Sequence, residues 1–463
     1  MNIAYVTGRT TRFAIAAALA VGIAMTGFAT APAQADPLGD FSQVYVPKAR
    51  TSGPVYGVTA GPGGNMWFAR DTANRIGRIT PSGAVREFEF TGFTTTGTTY
   101  AGLMDMAAGP DGNMWFTAFY ANVIGRITPS GVITTYPIPT ANSNPFGIAA
   151  GPDGNLWFTE YFANAIGRIT PDGVITEFAI PDLGATGPAT IAQSYDCIVC
   201  GYVITAGPDG AMWFTMPAAS RIGRISVDGA ITSFPVATTP PAVITVNSLS
   251  VGGITAGVDG NLWFTQQDDN QIGRMTPAGL VTEFDIPTPA STPSFITPGP
   301  GGSLWFSEYS TSKMGKITIA GDITEYPTPK ANAVPGLGAT GADGNIWFSE
   351  QPVKTTAAGS SRYPGRIARI GTGMGPVLTA KVSGTGAAGS PLTCSYRNTT
   401  GWKIASVTYQ WLRNGSAIRG ATNRSYTPTA LATGSSVRCT ASVTYTPALT
   451  QLGSISAGMR ITR

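Results

Sequence analysis

The chain reads as all-β, a seven-bladed β-propeller followed by an immunoglobulin-like β-sandwich, and three observations predict this. A Trp-Phe pair recurs seven times inside one phrase, fullest as GPDGNLWFTE followed by ANAIGRITPDGVITEF. Its tryptophans, Trp67, Trp115, Trp157, Trp213, Trp263, Trp305 and Trp347, lie 48, 42, 56, 50, 42 and 42 residues apart. A period of about 40 to 50 residues with four short strands per copy is that of a propeller blade. Beyond residue 376 the phrase vanishes, and Cys394, Trp411 and Cys439 follow in the order of a sandwich whose central Trp packs on an intersheet disulfide.

Residues 1–35 read as a secretory signal: Arg9 and Arg12, an apolar run from Phe13 to Phe28, then Ala33-Gln34-Ala35 before Asp36. The mature protein is therefore expected to be secreted or associated with the cell envelope. No later stretch is long and apolar enough to span a bilayer. Without the two arginines of the signal the chain carries 27 basic and 25 acidic residues, a balance that gives no argument for nucleic acid. Low charge with 59 Gly and 35 Pro suits turn-rich β structure.

Within the third copy, turn chemistry sets strands at Phe146 to Ala150, Leu156 to Thr159, Ile166 to Thr170 and Val174 to Phe178, separated by GPDGN, a turn at Asn164, and PDG. Trp and Phe at fixed strand positions are expected to pack blade on blade. The seventh copy stops at Arg366 to Ile370 without its outer strand, whereas Phe41 to Pro47 (FSQVYVP) resembles that strand, so Gln43 to Val46 is expected to close the ring. The propeller spans 41–372. The Arg of IGRI, at Arg78, Arg126, Arg168, Arg224 and Arg274 with Lys316 in copy six, is spread round the ring, which fits loop support or pairing with turn Asp residues better than a phosphate site.

Cys197 and Cys200 form a CIVC loop; zinc would need two further ligands, and export favours a local disulfide. In the module at 376–463, Cys394 pairs with Cys439. Its YQWLRNGSAIRGATNRSYTPT run looks like the Ig-like modules of bacterial surface and secreted proteins, which implies attachment to a cell-surface partner, with a stabilising cap as the alternative.

GPDGNLWFTE joined to IGRITPDGVITEF resembles the virginiamycin B lyase (streptogramin B lyase) propellers over residues 41 to 370. The resemblance implies metal-assisted elimination that linearises a cyclic depsipeptide at its ester. It implies catalytic residues in an EPH motif whose His lies 14 residues before the Glu of WFTE, with a second His one blade earlier. Those positions are here Tyr56, Met104, Phe146, Tyr202, Gly252, Ser294 and Gly336, and the chain contains no His. The Glu of EPH is replaced by Asn144, Thr292 and Val334 before Pro145, Pro293 and Pro335. Only the Glu ending WFTE or WFSE survives, as Glu160, Glu308 and Glu350, where other copies carry Arg70, Ala118, Met216 and Gln266. These three carboxylates are the only catalytic candidates, and such a base needs a burial-raised pKa.

Both variable positions are expected at one face, the funnel, joined there by the insertions Thr91 to Leu103, Pro181 to Gly201 and Ala237 to Val251. Tyr56, Arg70, Met104, Phe146, Tyr202, Met216, Gln266 and Ser294 then form a ligand-binding funnel, apolar toward blades one to four and acidic toward blades five to seven. It suits a small molecule such as an amphipathic cyclic peptide, a glycan stacked on tyrosine, or magnesium or calcium between Glu308 and Glu350; a wet channel is the plain alternative. The reading is a binding protein on a lyase scaffold. Its rivals are a divergent carbon-oxygen lyase and a structural envelope component. Mass mapping should join Cys197 to Cys200 and Cys394 to Cys439, and a peptide linking the two pairs would overturn both the pairing and the domain division.

Overall fold

Each copy of the phrase folds into a four-stranded antiparallel sheet because its turns are written in residues that tolerate left-handed backbone. In the third copy the strands are Pro145–Ala150, Leu156–Glu160, Ala165–Ile169 and Ile175–Ala179, within about one residue of expectation. The turns between them place Gly154, Asn164 and Gly173 at φ of 78°, 49° and 94°. A computed structural model describes residues 36–44, 55–71, 73–93, 95, 100–181, 203–236, 251–330, 333–352, 366–374, 378–398, 403–414, 416–446, 451–455 and 459–462. Among these, seven four-stranded sheets repeat the pattern, and their first strands adjoin one another as the innermost layer of a propeller.

The fixed aromatics make the seams. Trp67 of the first blade shares a buried cluster with Phe116 of the second. The same step joins Trp115 to Phe158, Trp157 to Phe214, Trp213 to Phe264, Trp263 to Phe306 and Trp305 to Phe348. Trp347 then meets Phe68 and closes the circle. The Trp of each of the first six blades also stacks on the aromatic of its own outer strand, as Trp157 does on Phe178 with centroids 5.5 Å apart. The Gly of IGRI follows from this packing, since a Cβ on Gly167 would lie 2.0 Å from the Phe158 ring.

Closure comes from the N-terminal segment. Phe41–Val44 pairs antiparallel with Arg366–Ile370 as the outer strand of the seventh sheet, from Phe41 opposite Ile370 to Val44 opposite Ile367. The expected closing strand is therefore found, and it begins two residues before Gln43; Tyr45 and Val46 lie outside the described residues. Asp36 secures it through Arg369 Nε at 3.0 Å.

The IGRI arginines brace the rim. Arg168 lies 5.4 Å over Trp157 and donates to Val227 O of the next blade at 2.9 Å. Arg224 pairs with the turn residue Asp209 at 2.6 Å. The turn Asp has a further task, because its carboxylate accepts the indole N–H of its own blade's Trp, as in Trp157 Nε1 to Asp153 Oδ1 at 3.1 Å. Where GPGG replaces GPDG, at Gly63 and Gly301, the Nε1 groups of Trp67 and Trp305 have no protein partner among the described residues.

After the propeller come a three-stranded and a five-stranded sheet joined by the Cys394–Cys439 disulfide, with Trp411 fully buried beside it. This pair of sheets rests on the first blade. Val443 joins the buried cluster of Val58, Ala60 and Met66, and the strand Gln451–Ile455 lies against the Pro62–Gly64 turn. The pair Cys197 and Cys200 lies outside the described residues.

Removal of residues 36–44 should strip the outer strand from the seventh sheet and lower the melting temperature by on the order of 10 °C, taking several kcal/mol at about 2–4 °C each; an unchanged melt would mean that the ring closes without this strand. Asp153→Ala leaves a buried indole N–H unpaired and should lower stability by about 1–3 kcal/mol, read as a shift of the urea midpoint at constant m-value.

Candidate functional site

Five of the seven innermost strands are bulged at the end away from the GPDG turns. Register shifts fall between Tyr56 and Thr59, Leu103 and Met106, Pro145 and Ile148, Pro293 and Ile296, and Pro335 and Gly338. A bulge frees backbone groups from the ladder and re-aims side chains. The Thr of WFT collects the freed groups. Thr117 Oγ1 accepts from Asp105 N at 3.1 Å and donates to Phe146 O of the next blade at 2.6 Å. Thr265 does the same between Gly253 N and Ser294 O at 2.9 and 3.1 Å. Variable positions of the inner strand thus sit on a stitched ring of backbone around the axis.

Tyr56, Met104 and Ser294 are buried there, Phe146 is half-buried, and Tyr202 lies outside the described residues. Gly252 admits no side chain as the ring stands, since a Cβ would come 2.8 Å from Ser294 O and 2.5 Å from Thr265 Oγ1. At Gly336 a Cβ would come 2.5 Å from Ser349 Oγ. Insertions 182–202 and 237–250 lie outside the described residues.

The second set of variable positions shares this end of the blade, as the pairing of Pro145 with Glu160 and of Pro293 with Glu308 shows. Its side chains, however, turn outward along the seams. Arg70 is 1% exposed and reaches Glu87 on the outer strand at 2.8 Å, and Gln266 reaches Glu283 at 3.0 Å. A buried charge or amide needs a partner, and the outer-strand Glu supplies it. Met216 is likewise buried, inside the seam cluster of Trp157 and Phe214. Arg70, Met216 and Gln266 therefore belong to seams, a correction to their expected place in the funnel.

Glu308 accepts from Thr311 Oγ1 at 2.9 Å, and Lys313 bonds Glu325 beside it at 3.3 Å. Burial pushes the Glu308 carboxyl up to about 7. Glu160 is wholly buried, its oxygens make no hydrogen bond of ordinary length among the described residues, and burial, followed by the charge of Glu177, pushes it up to about 8. Glu350, also buried, is paired across its sheet with Pro335 and Arg366. No three His, Cys, Asp or Glu gather as metal ligands among the described residues. The Lys313 ammonium acts on Glu308 and already supplies positive charge there, so the Glu308 and Glu350 pair fits a magnesium or calcium ion poorly.

Two features escaped sequence reasoning. Asp105, the only charged side chain on a described inner strand, accepts from Met106 N at 2.8 Å and from Ile148 N of the next blade at 3.1 Å. Burial raises its pKa to about 6 against the pull of those two amides. Its signal was a lone acid inside LMDMAA. At the same end, the turns after WFTA and WFTE carry aromatics that gather round Phe119, which lies 6.3 Å from Phe146, 5.0 Å from Tyr120, 5.8 Å from Tyr161 and 6.2 Å from Phe162. Phe162 is 40% exposed. Their signal was the doublets Phe119-Tyr120 and Tyr161-Phe162 in the same turn of adjacent copies.

A virginiamycin B lyase of Bordetella parapertussis is 46% identical over 46 residues, 10% of this chain and 15% of that protein, so the aligned segment spans a small part of that relative's length. A streptogramin B lyase structure is 33% identical with a TM-score of 0.58, covering 71% of this chain and 96% of its own. A catalytically inactive His-to-Ala virginiamycin B lyase from Staphylococcus aureus, solved with quinupristin, is 35% identical with a TM-score of 0.58, covering 72% and 99%. The profile of the Virginiamycin B lyase family matches residues 33–199 and 199–370, the whole run of Trp-Phe repeats, and by that match the chain belongs to this family.

Proposed function

We propose that this chain is an exported propeller that binds a ligand at its funnel mouth without transforming it, streptogramin B-type cyclic depsipeptides being the first class to try. The aromatic platform of Phe119, Tyr120, Phe146, Tyr161 and Phe162 carries the reading, because rings clustered round Phe119 beside the inner-strand Phe146 offer the stacking surface that an amphipathic macrocycle or a sugar uses. The absence of turnover follows from the absence of histidine. Elimination needs a base poised near working pH, and such partners contribute about 10²–10⁴ in rate. The inactive Staphylococcus aureus variant with quinupristin supports the idea that the scaffold can hold a ligand when a histidine is missing.

One observation favours a second reading. Asp105, raised to about 6 and half-buried on an inner strand, has the basicity of a general base, which would make the chain a divergent lyase. Both its oxygens are engaged by backbone amides, which favours a stitching role. The remaining elements of the reading are a propeller at 41–372, a signal at 1–35 and an Ig-like module at 376–463 that holds a cell-surface partner.

Incubated with quinupristin and magnesium, the mature protein should bind the compound and return it intact, as read by calorimetry and by chromatographic retention with mass detection. Phe162→Ala should weaken binding about 10-fold with the melting temperature unchanged. A linearised product formed in proportion to protein, and lost in Asp105→Asn, would establish the lyase instead; neither binding nor product would remove this ligand class.

A further inference from the structure

Blades three and six match residue by residue around one buried acid. Glu160 corresponds to Glu308 and Glu177 to Glu325; Thr140 N donates to Glu177 Oε1 at 3.2 Å as Thr288 N donates to Glu325 Oε1 at 3.1 Å. The blades differ where the acid is satisfied. In blade six Thr311 donates to Glu308, and Lys313, its register partner, brings an ammonium to Glu325 and Thr288. In blade three those two positions are Ala163 and Ala165, and Ala165 is the register partner of Glu160. Glu160 is 0% exposed, its oxygens make no hydrogen bond of ordinary length among the described residues, and the Glu177 carboxylate and the Ser143 hydroxyl lie nearest to it. Other blades solve the same problem internally, Arg70 neutralising Glu87 and Gln266 donating to Glu283. Blade three alone among these four leaves the charge open.

We propose that the Glu160–Glu177 seam of blade three is a binding site for a hard metal cation, calcium fitting best, which takes the place that the Lys313 ammonium holds in blade six. The donors are all oxygen: two carboxylates, and Ser143 Oγ nearby, which donates to Asn122 Oδ1 at 3.0 Å. Calcium takes six to eight oxygens in flexible geometry, so bidentate carboxylates, a hydroxyl and water can complete its shell. Glu177 is half-exposed and leaves an entrance from the rim. Protons and metal compete for the same carboxylate oxygens, so uptake weakens as the pH falls. The site is independent of the funnel reading.

The test uses the full mature chain stripped with chelator and titrated with calcium chloride at pH 8.5 and pH 6, followed by calorimetry and thermal melting. One calcium per chain is expected at pH 8.5, with a melting temperature raised by a few degrees at saturation, and weaker uptake at pH 6. Glu160→Gln should abolish both effects. Ala165→Lys, which installs the blade-six ammonium, should abolish uptake and raise the metal-free melting temperature. Lys313→Ala should open the equivalent seam and raise the stoichiometry to two; if that variant fails to fold, the two blade-three variants decide. Absence of uptake by the wild-type chain, or uptake that survives Ala165→Lys, would overturn the proposal.

Discussion

Everything in the propeller depends on the contact between one blade's Trp and the next blade's Phe. Neither ring can be buried by its own four-stranded sheet, so each blade is unfinished until its neighbour arrives. Seven such contacts run round the axis and the last, Trp347 on Phe68, returns to the first blade. Loss of a buried Trp or Phe typically costs about 3–5 kcal/mol, a large share of a domain's net stability. The contact also dictates the rest of the phrase. The third-strand Gly exists to let the Phe ring lie flat on backbone, and the Arg to its C-terminal side lies over the Trp and reaches the following blade.

A closed ring removes sheet edges, but a single chain has to close it with two ends. Here Phe41–Val44 supplies the strand that the seventh copy lacks, and Asp36 ties it through Arg369. The opposite face answers another need. The two GPGG turns, which deny Trp67 and Trp305 their carboxylate, are also turns against which later chain packs: Gln451–Ile455 lies on the first, and Met374 Sδ comes within 2.8 Å of a Cβ placed on Gly301 of the second. Space for docking at those turns replaced a hydrogen bond. Because the C-terminal sheets rest on this end of the first blade, the bulged end with its aromatic platform stays uncovered by them.

The architecture was legible because its signal is repeated. Any single GPDG or Trp-Phe is weak, but copies at one spacing, with strands in register to within about one residue, leave little freedom for another fold. The Cys394–Cys439 bond was legible for a similar reason, since Trp411 falls between the two cysteines in an alternating pattern. Side-chain direction at the ends of strands was not. Arg70, Met216 and Gln266 stand beside the funnel in sequence register, yet they turn outward, because a Glu two strands away gives Arg70 and Gln266 a partner and Met216 packs into the Trp157 seam. Asp105 escaped notice for the converse reason: nothing in LMDMAA tells that its carboxylate will bridge to Ile148 of the neighbouring blade.

Comparison of the blades with one another shows what such a scaffold permits. The Trp and the Phe are held by mutual contact, and the residue opposite the Phe stays small, Gly in six blades and Ala368 in the seventh. The residue ending WFTE answers only to its seam, and across the described blades it is Arg, Ala, Glu, Met or Gln according to what the outer strand and crossover loop offer. The inner-strand residue at the bulge answers to the channel alone, and ranges from Tyr and Phe to a Gly with no room for a side chain. Family membership is written in the first group of residues and chemistry in the other two. The seams therefore hold the scaffold together while the inner-strand positions differ from blade to blade, from Tyr56 and Phe146 to Gly252.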